Sequence, residues 1–406
     1  FEVAASRGVW GMLTAYNRVN GIYCAEQHQA ISQWLKRDLD WDGLVMSDWF
    51  GTQNGPASFR AGLDLEMPYS GGYNDRQIVT AVQEGRLDEA VLDEAVERVL
   101  NVVFAGEGQH RPEVISDKET DHKKAADIET ECAVLLENNG ILPLNTDRKV
   151  AYIGEFAEKP RYQGGGSSHI NPFRVVSALD AAGEKGRSVT YAKGFSMEND
   201  AMTEPELEKA LRTAAEADVA VIFAGLPEIF ESEGYDRTSM KLPQCQDRLI
   251  KEVLKVQPNV VVVLHNGSPV ELPWADKVSA ILEMYLGGQG VGEACDRLLY
   301  GEANPSGRLA ETFPYRLEDN PSFLHFPGNG KRVLYGEDIF VGYRYYDTKK
   351  VPVRYAFGHG LSYTEFTYGD LTLSSAQMTD EDILTVSFKV KNTGKTEGKE
   401  VVQLYV

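Results

Sequence analysis

The chain has 406 residues and a formal net charge of −20 at pH 7, with 42% hydrophobic and 25% charged residues. This composition is that of an ordinary globular protein, and the length allows two or three domains with cores of their own. The acidic balance argues against nucleic acid as a partner, because phosphate contacts need clustered Lys and Arg.

Further classes of site are excluded by the cysteine, histidine and apolar patterns. The scattered cysteines contain no CxxC pair, and the seven histidines show no metal-ligand spacing, so we expect no metal and no cofactor. No apolar run approaches the roughly 20 residues of a membrane helix, so we expect no membrane partner. The scattered cysteines and the lack of a visible signal peptide favour a cytoplasmic location. Nothing indicates an oligomeric state. A start at Phe1 without Met and a strand-like run at 402–406 suggest truncation at both ends.

Strands and helices are predicted to alternate over residues 1–105. This alternation is typical of an α/β layer, such as the C-terminal part of a (β/α)₈ barrel. The expected elements are a strand at 9–16, a helix at 25–39, a buried strand at 44–46, a short helix at 57–62, a strand at 63–68 and helices at 74–84 and 88–104.

The rest of the chain divides by composition. A polar linker is predicted at 106–123, an α/β sandwich domain at 124–325, an aromatic-rich connecting segment at 326–366, and the start of an antiparallel β-sandwich at 367–406. The α/β domain should begin with a helix at 124–136 and contain a mostly parallel sheet. Its expected strands are 150–154, 189–191, 219–224, 260–264 and 280–284, with helices at 204–217, 244–255 and 294–299.

Asp48 follows the buried strand 44–46, and Trp49 stands beside it. Reactive side chains collect beyond the carboxyl ends of parallel strands. A carboxylate next to an indole suits sugar chemistry, since the sugar ring can stack on the indole. The alternative is an Asp that caps the next helix.

A second candidate acid lies in the run Glu231-Ser232-Glu233-Gly234-Tyr235-Asp236-Arg237, after the strand predicted at 219–224. Glycosidic cleavage needs two carboxyl groups, and Asp48 and Glu233 could form that pair. The alternative is a solvated acidic loop. Tyr16, at the end of a strand, is either a hydrogen-bond donor to the site or a core residue. The run 163–169 lacks the ending of a phosphate-binding loop, so we expect its backbone to approach a ligand closely.

Several motifs together resemble the family 3 glycoside hydrolases, especially bacterial and fungal β-glucosidases. The run 44–49 (LVMSDW) is similar to the nucleophile motif of that family, and 61–68 (AGLDLEMP) to the segment after it. The other matching runs are 15–21 (AYNRVNG), 136–144 (LENNGILPL), 303–309 (ANPSGRL) and 357–363 (FGHGLSY).

The resemblance implies a retaining, exo-acting β-glycosidase that hydrolyses terminal β-D-glucosyl residues of a β-glucoside or oligosaccharide. Asp48 would be the nucleophile and Glu233 the acid/base, with Glu231 as the other candidate acid. Trp49 would line the site, Tyr16 would orient Asp48 or the sugar, and Arg237 would hold the acidic loop through Asp236 or a neighbour. The tail from 367 would begin a fibronectin type III-like domain. Much of the barrel would be absent, so the chain could be an inactive fragment.

Three alternatives stay open. A β-xylosidase or another family 3 glycosidase is the first; among these, the glucosaminidase and phosphorylase lineages would use an Asp-His pair in place of the carboxyl acid/base. A non-catalytic carbohydrate-binding protein would keep the cleft without the chemistry. A nucleotide-binding α/β protein is suggested by the glycine-rich runs 163–169 and 287–292.

Overall fold

The computed structural model describes residues 1–405, which form two compact units, Phe1–Ile115 and the chain from Ser116 onwards. The first unit contains, in chain order, α1 (Glu2–Ser6), β1 (Gly11–Thr14), β2 (Arg18–Val19), β3 (Ile22–Tyr23), a 3₁₀ turn (Cys24–Glu26), a π-helix (Gln29–Asp38), β4 (Leu44–Ser47), α2 (Gly55–Arg60), α3 (Tyr73–Gln83) and α4 (Glu89–Gly108).

Parallel pairing organises the first unit. β1 and β4 run parallel, with Thr14 opposite Ser47, and Met46 forms a parallel bridge to Leu65. The strand predicted at 63–68 is reduced to that single bridge. Main-chain hydrogen bonds join Leu65 to Val45 and Ser47, and the hydroxyl of Ser47 binds both the N–H and the carbonyl of Met67.

The segment predicted as a linker, 106–123, contains the boundary between the two units and also the ends of two helices. Helix α4 continues to Gly108, and α5 (Lys118–Cys132) begins inside the predicted linker, which leaves 109–117 without regular structure. Asp117 caps α5 by accepting from the N–H groups of Glu119 and Thr120. The polarity that suggested a linker belongs to the solvent face of α5, whose other face buries His122 and Ala126.

The helix predicted at 124–136 ends earlier, at Cys132, and the chain becomes strand β5 (Val134–Asn138). Three of the five residues of β5 are buried, and the strand pairs antiparallel with residues 280–283. The partner strand therefore overrides the helical spacing of the apolar residues.

The second unit continues with a larger set of elements. After β5 they are β6 (Val150–Ile153), α6 (Ala178–Glu184), β7 (Val189–Ala192), α7 (Glu204–Ala215), β8 (Val219–Gly225), α8 (Gln244–Val253), β9 (Val260–His265), β10 (Ala280–Glu283), α9 (Val291–Leu299), β11 (Phe313–Pro314), α10 (Tyr343–Lys349), β12 (Val353–Tyr355), β13 (Phe366–Leu373) and β14 (Val386–Asn392). Short 3₁₀ turns lie at Glu155–Ala157, Gly166–Ser168, Ala275–Lys277 and Leu317–Asp319.

A six-stranded sheet forms the centre of this unit, in the order β5-β10-β9-β8-β6-β7. Neighbouring strands run parallel except for β5 at one edge, which confirms the prediction of a mostly parallel sheet. Every residue of β8 and β9 is buried, as expected for strands with helices on both faces. Loops that leave the carboxyl ends of β8, β9 and β10 therefore gather at one edge of the sheet.

The tail contains an antiparallel ribbon of two strands, β13 and β14, in which all but the first residue of each strand is exposed. The domain limits predicted within the second unit, and its fibronectin type III-like character, stay predictions. None of the helices in residues 1–405 has the length and apolar composition that a bilayer crossing requires.

Candidate active site

The first candidate carboxylate, Asp48, lies directly beyond β4 at the edge where parallel strands end. Its N–H donates to the carbonyl of Thr14 at 3.1 Å, and the N–H of Gly51 donates to its carbonyl at 2.8 Å. Phe50, with φ +65°, donates its N–H to the carbonyl of Met67 at 2.9 Å. The main chain of Asp48 is therefore fixed by β1 and by the turn that follows.

The Asp48 side chain is half-buried and stands at the edge of an aromatic surface. Its Oδ1 accepts from the N–H of Trp49 at 2.7 Å. The ring of Trp49, 54% exposed, meets Phe50 edge to face at a centroid distance of 6.2 Å. Asp48 thus bonds to the main chain of its own turn and does not cap α2, which Asn54 caps. A carboxylate oxygen and an exposed aromatic surface lie side by side here.

Tyr16 belongs to the same edge of the unit. It follows β1 two residues after Thr14, whose partner Ser47 directly precedes Asp48. Its side chain is 53% exposed, so it is a surface residue and not part of the core. The strand pairing therefore brings Tyr16, Asp48 and Trp49 to one edge of the first unit.

A buried charge cluster below this edge was missed in the sequence. The carboxylate of Asp64 accepts from Lys36 Nζ at 2.8 Å, from Arg98 at 3.2 Å and from the N–H of Val45 at 2.8 Å. Its side chain is 1% exposed. Asp64 therefore ties the π-helix and α4 to β4, the strand that carries Asp48.

The second candidate carboxylate, Glu233, lies in the loop that follows β8 in the second unit. Its Oε2 accepts from the N–H of Ser167 at 2.6 Å. The side chain also lies against Gly166, where an added Cβ would stand 2.5 Å from that same oxygen. The glycine-rich run 163–169, expected to approach a ligand, thus approaches the loop of Glu233.

Glu231, two residues earlier, has different surroundings. Its Oε2 accepts from Arg161 at 2.6 Å and from the N–H of Gly267 at 2.7 Å, and its Oε1 accepts from the hydroxyl of Ser268. Arg237 stands 3.7 Å from Oε1. Donors therefore occupy both oxygens of Glu231.

Two arginines brace this loop, which we call the acid loop (residues 226–237). Arg161, which the sequence did not single out, donates to the carbonyls of Leu226 and Glu231 at 2.7 and 2.6 Å. Arg237 donates to the hydroxyl of Ser268 and the carbonyl of Pro269. The carboxylate nearest to Arg237 is that of Glu231. Of the two predicted partners of Arg237, Asp236 or a neighbouring acid, the structure has the neighbouring acid.

Three carboxyls near the edge of the sheet were also missed, of which Glu129 and Glu283 are buried and Glu311 is partly buried. Burial raises the pKa of Glu129 to about 8 and that of Glu311 to about 7. Burial also raises the pKa of Glu283, which accepts from the N–H of Tyr285 and the amide of Asn266. Acidic residues are expected at the protein surface, so nothing in the sequence distinguished these three from ordinary exposed carboxylates.

The second glycine-rich run, 287–292, serves packing. An added Cβ at Gly287 would overlap Glu129, and one at Gly290 would overlap Ala126, so both glycines lie against α5. Gly292 lies against the main chain of Ser177. Close packing of α9 thus accounts for these glycines. Within residues 1–405, no cluster of three or more His, Cys, Asp and Glu side chains could hold a metal ion.

Each unit thus presents one accessible carboxylate on a braced main chain. Asp48 stands beside an aromatic surface suited to a sugar ring, and Glu233 stands on a loop with a rigid base. A carboxyl group of this kind can act as a nucleophile, as a base or as a proton donor.

Family models match both units. Residues 1–102 match the model described as the glycosyl hydrolase family 3 N-terminal domain, and residues 133–363 match the glycosyl hydrolase family 3 C-terminal domain.

Two curated relatives align with nearly the whole chain. Thermostable beta-glucosidase B of Acetivibrio thermocellus is 49% identical over 411 residues, which cover 100% of this chain and 54% of the relative. Exo-alpha-(1->6)-L-arabinopyranosidase of Bifidobacterium longum is 41% identical, with 98% of this chain and 53% of the relative covered. The chain therefore spans about half the length of these two relatives.

Solved structures agree with the fold. The GH3 beta-glucosidase of Bifidobacterium adolescentis has a TM-score of 0.92 and 38% identity over 97% of this chain and 58% of that chain. Beta-glucosidase 3B of Thermotoga neapolitana, solved with glycerol, has a TM-score of 0.87 and 33% identity over 98% of this chain and 60% of that chain.

Proposed function

Since the chain belongs to glycosyl hydrolase family 3, we propose that the protein hydrolyses terminal, non-reducing β-D-glucosyl residues with retention of configuration. The observation that supports this most directly is the pair of accessible carboxylates, Asp48 and Glu233, at the positions expected from the sequence motifs. The names of the relatives supply the substrate class.

In the proposed mechanism Asp48 attacks the anomeric carbon and forms a glycosyl-enzyme, while Glu233 protonates the departing oxygen. Glu233 then removes a proton from water, which attacks the anomeric carbon and releases both sugar and Asp48. Retention of this kind requires about 5 Å between the two carboxyl groups. The fixed main chain at Asp48 supports the role of nucleophile, because small errors of placement are costly.

Trp49 and Tyr16 bind the sugar in this proposal. The exposed indole face of Trp49 offers a stacking surface for the apolar face of a pyranose. Tyr16, at the same edge of the unit, carries a phenol that can hydrogen-bond a sugar hydroxyl or Asp48. Both residues are substrate-binding residues here, not reacting groups.

The test is hydrolysis of p-nitrophenyl β-glucoside by the 406-residue chain and by the longest natural polypeptide that contains it. We expect Asp48→Gly to lower kcat by at least about 10³-fold, because the covalent step loses its nucleophile. Glu233→Ala should slow alkyl glucosides far more than dinitrophenyl glucoside, whose leaving group needs no proton. Glu231→Gln serves as the comparison for Glu233.

The substrate panel separates the alternatives. It includes β-xyloside, for a β-xylosidase, and α-L-arabinopyranoside, because of the name of the Bifidobacterium longum relative. Turnover of one of these in place of glucoside would replace the substrate proposed here. If both polypeptides are silent on every glycoside but bind glucose, the protein is a non-catalytic carbohydrate-binding protein and the hydrolase proposal fails.

Finer points of architecture belong to the same proposal. Residues 1–105 are proposed as the C-terminal part of a (β/α)₈ barrel, supported by the parallel pairing of β1, β4 and Leu65. The ribbon β13–β14 is proposed as the start of a fibronectin type III-like domain. A cytoplasmic location is proposed from the cysteine usage alone.

A further inference from the structure

The glycine run Gly164-Gly165-Gly166 lies under the acid loop with almost no space between them. An added Cβ at Gly165 would overlap the Oγ of Ser232 and stand 2.9 Å from Cγ of Glu228. An added Cβ at Gly166 would stand 2.5 Å from Oε2 and 2.7 Å from Cβ of Glu233. Any side chain at either position must therefore displace the acid loop.

The two glycines differ in what they require of the main chain. Gly166 has φ +76°, which is unfavourable for other residues, whereas Gly165 has φ −86°, which any residue adopts. Backbone conformation therefore explains a glycine at 166 but not at 165. At 165 the close approach of Ser232 is the reason that remains.

The contact between the two loops also includes a hydrogen bond to Glu233. The N–H of Ser167 donates to Oε2 of Glu233 at 2.6 Å. The same loop reaches the acid loop a third time, through His169 Nε2, which lies 3.3 Å from the carboxylate of Glu228. Three successive parts of the 163–169 run thus contact the acid loop at residues 228, 232 and 233.

The Arg161–Glu231 brace holds the acid loop at Leu226 and Glu231. We propose that the 163–169 run is a positioning element for Glu233, in which side-chain-free Gly165 and Gly166 seat the acid loop and the Ser167 amide directs the carboxyl. The catalytic role of this run rests on the proposed function, whereas the contact between the run and the acid loop does not.

Three alanine variants separate contact from backbone strain. Gly165→Ala introduces the overlap without a positive φ, and Gly166→Ala introduces both. Gly186→Ala is the matched control, because Gly186 has φ +63° and nothing within 4 Å of an added Cβ. In Gly165→Ala/Ser232→Gly the overlapping side chain is removed, which should restore the parent behaviour if Gly165→Ala is impaired or unfolded.

The first readout is hydrogen exchange in the 406-residue chain, measured on peptides that cover the acid loop. We expect exchange there to rise roughly 5- to 10-fold in Gly165→Ala and Gly166→Ala, with no change in Gly186→Ala. The reciprocal variant Glu233→Ala should speed exchange in peptides covering 163–169. Equal exchange in all variants would overturn the proposal.

The second readout is the dependence on leaving group in the catalytically competent polypeptide. We expect Gly165→Ala and Gly166→Ala to lower kcat/KM for methyl β-glucoside about 10- to 100-fold and to change dinitrophenyl β-glucoside less than about 3-fold. A uniform loss on both substrates would mean general destabilisation and would overturn the positioning role. If the parent hydrolyses no glycoside, the proposed function fails. The exchange experiment still tests whether the 163–169 run holds the acid loop in place.

Discussion

Glu231 and Glu233 are two residues apart and have opposite surroundings. Arg161, Gly267 and Ser268 occupy the oxygens of Glu231, whereas Glu233 reaches the main chain of the 163–169 run. The sequence analysis chose Glu233 as the acid and kept Glu231 as the other candidate, without a local pattern that separates the two. Their difference depends on residues about 30 to 70 positions away, which no local pattern reveals.

The pKa of Glu129, about 8, has a measurable consequence for stability. Between pH 4.5 and pH 8 the folded chain keeps a proton that the unfolded chain has released. The free energy of unfolding therefore falls as pH rises through this window, by up to about 1.4 kcal/mol per unit. Glu129→Gln removes the ionisable group and should remove this part of the decline.

Urea unfolding of the parent and of Glu129→Gln at pH 5 and pH 8 measures the effect. We expect the parent to lose at least about 1 kcal/mol more than the variant across this interval. Glu131→Gln is the control, since Glu131 is exposed and its ion pair with Lys399 should contribute little. Identical pH profiles for parent and Glu129→Gln would contradict the assignment of a neutral, buried carboxyl.

At the scale of elements, the sequence was most informative where a strand is buried on both faces. All five strands predicted at 150–284 are present within about one residue of their limits. Four of them, β6, β8, β9 and β10, are entirely buried, and their continuous apolar runs between turn signals leave few alternatives. The fifth, β7, is an edge strand and only partly buried. β5 was missed because its residues also fit a helical pattern and its pairing with β10 is distant in sequence. Arg161 was missed for the same reason, because its partners Leu226 and Glu231 are distant in sequence.

Asp64 controls how helices are attached to the strand of Asp48. Asp64→Asn would leave Lys36 without a carboxylate partner in a mostly buried site, while Arg98 would keep the exposed Glu94, 3.5 Å away. We expect a loss of about 3–5 kcal/mol in the first unit, because unpaired buried charges are strongly unfavourable. Thermal unfolding should show it as a fall of at least about 10 °C in the Tm of that unit.

The matched control is Glu84→Gln, which breaks the exposed ion pair with Arg86 in the same unit. That change should alter stability by less than about 1 kcal/mol. A Tm for Asp64→Asn equal to that of Glu84→Gln would show that the cluster does not stabilise the unit.

The two units of the whole molecule differ in their cores. One large buried cluster, from residues 133 to 355, lies entirely in the second unit, whereas the first has clusters of five and three buried apolar residues. Burial of apolar area is the main source of folding free energy. We therefore infer that the second unit is the more stable of the two by itself.

Cleavage within residues 109–117 tests this inference, because that segment is exposed and without regular structure. A glutamyl endopeptidase should cut after Glu113. We expect the fragment from Val114 onwards to keep its cooperative thermal transition, while the fragment 1–113 is digested further. Glu113→Gln should block the first cut. Loss of the transition in the larger fragment would show that its core depends on the first unit.

The β13–β14 ribbon should make the association of this protein with itself depend on ionic strength. Within residues 1–405 this sheet has two strands, so each outer edge presents main-chain groups with no strand beside them, and such edges readily accept further strands. Each molecule also carries a formal charge of −20, so molecules repel one another before such edges meet. Repulsion reaches about 10 Å in 0.1 M salt and only about 3 Å in 1 M salt. Dilute buffers therefore keep the ribbons apart, and concentrated salt favours their association.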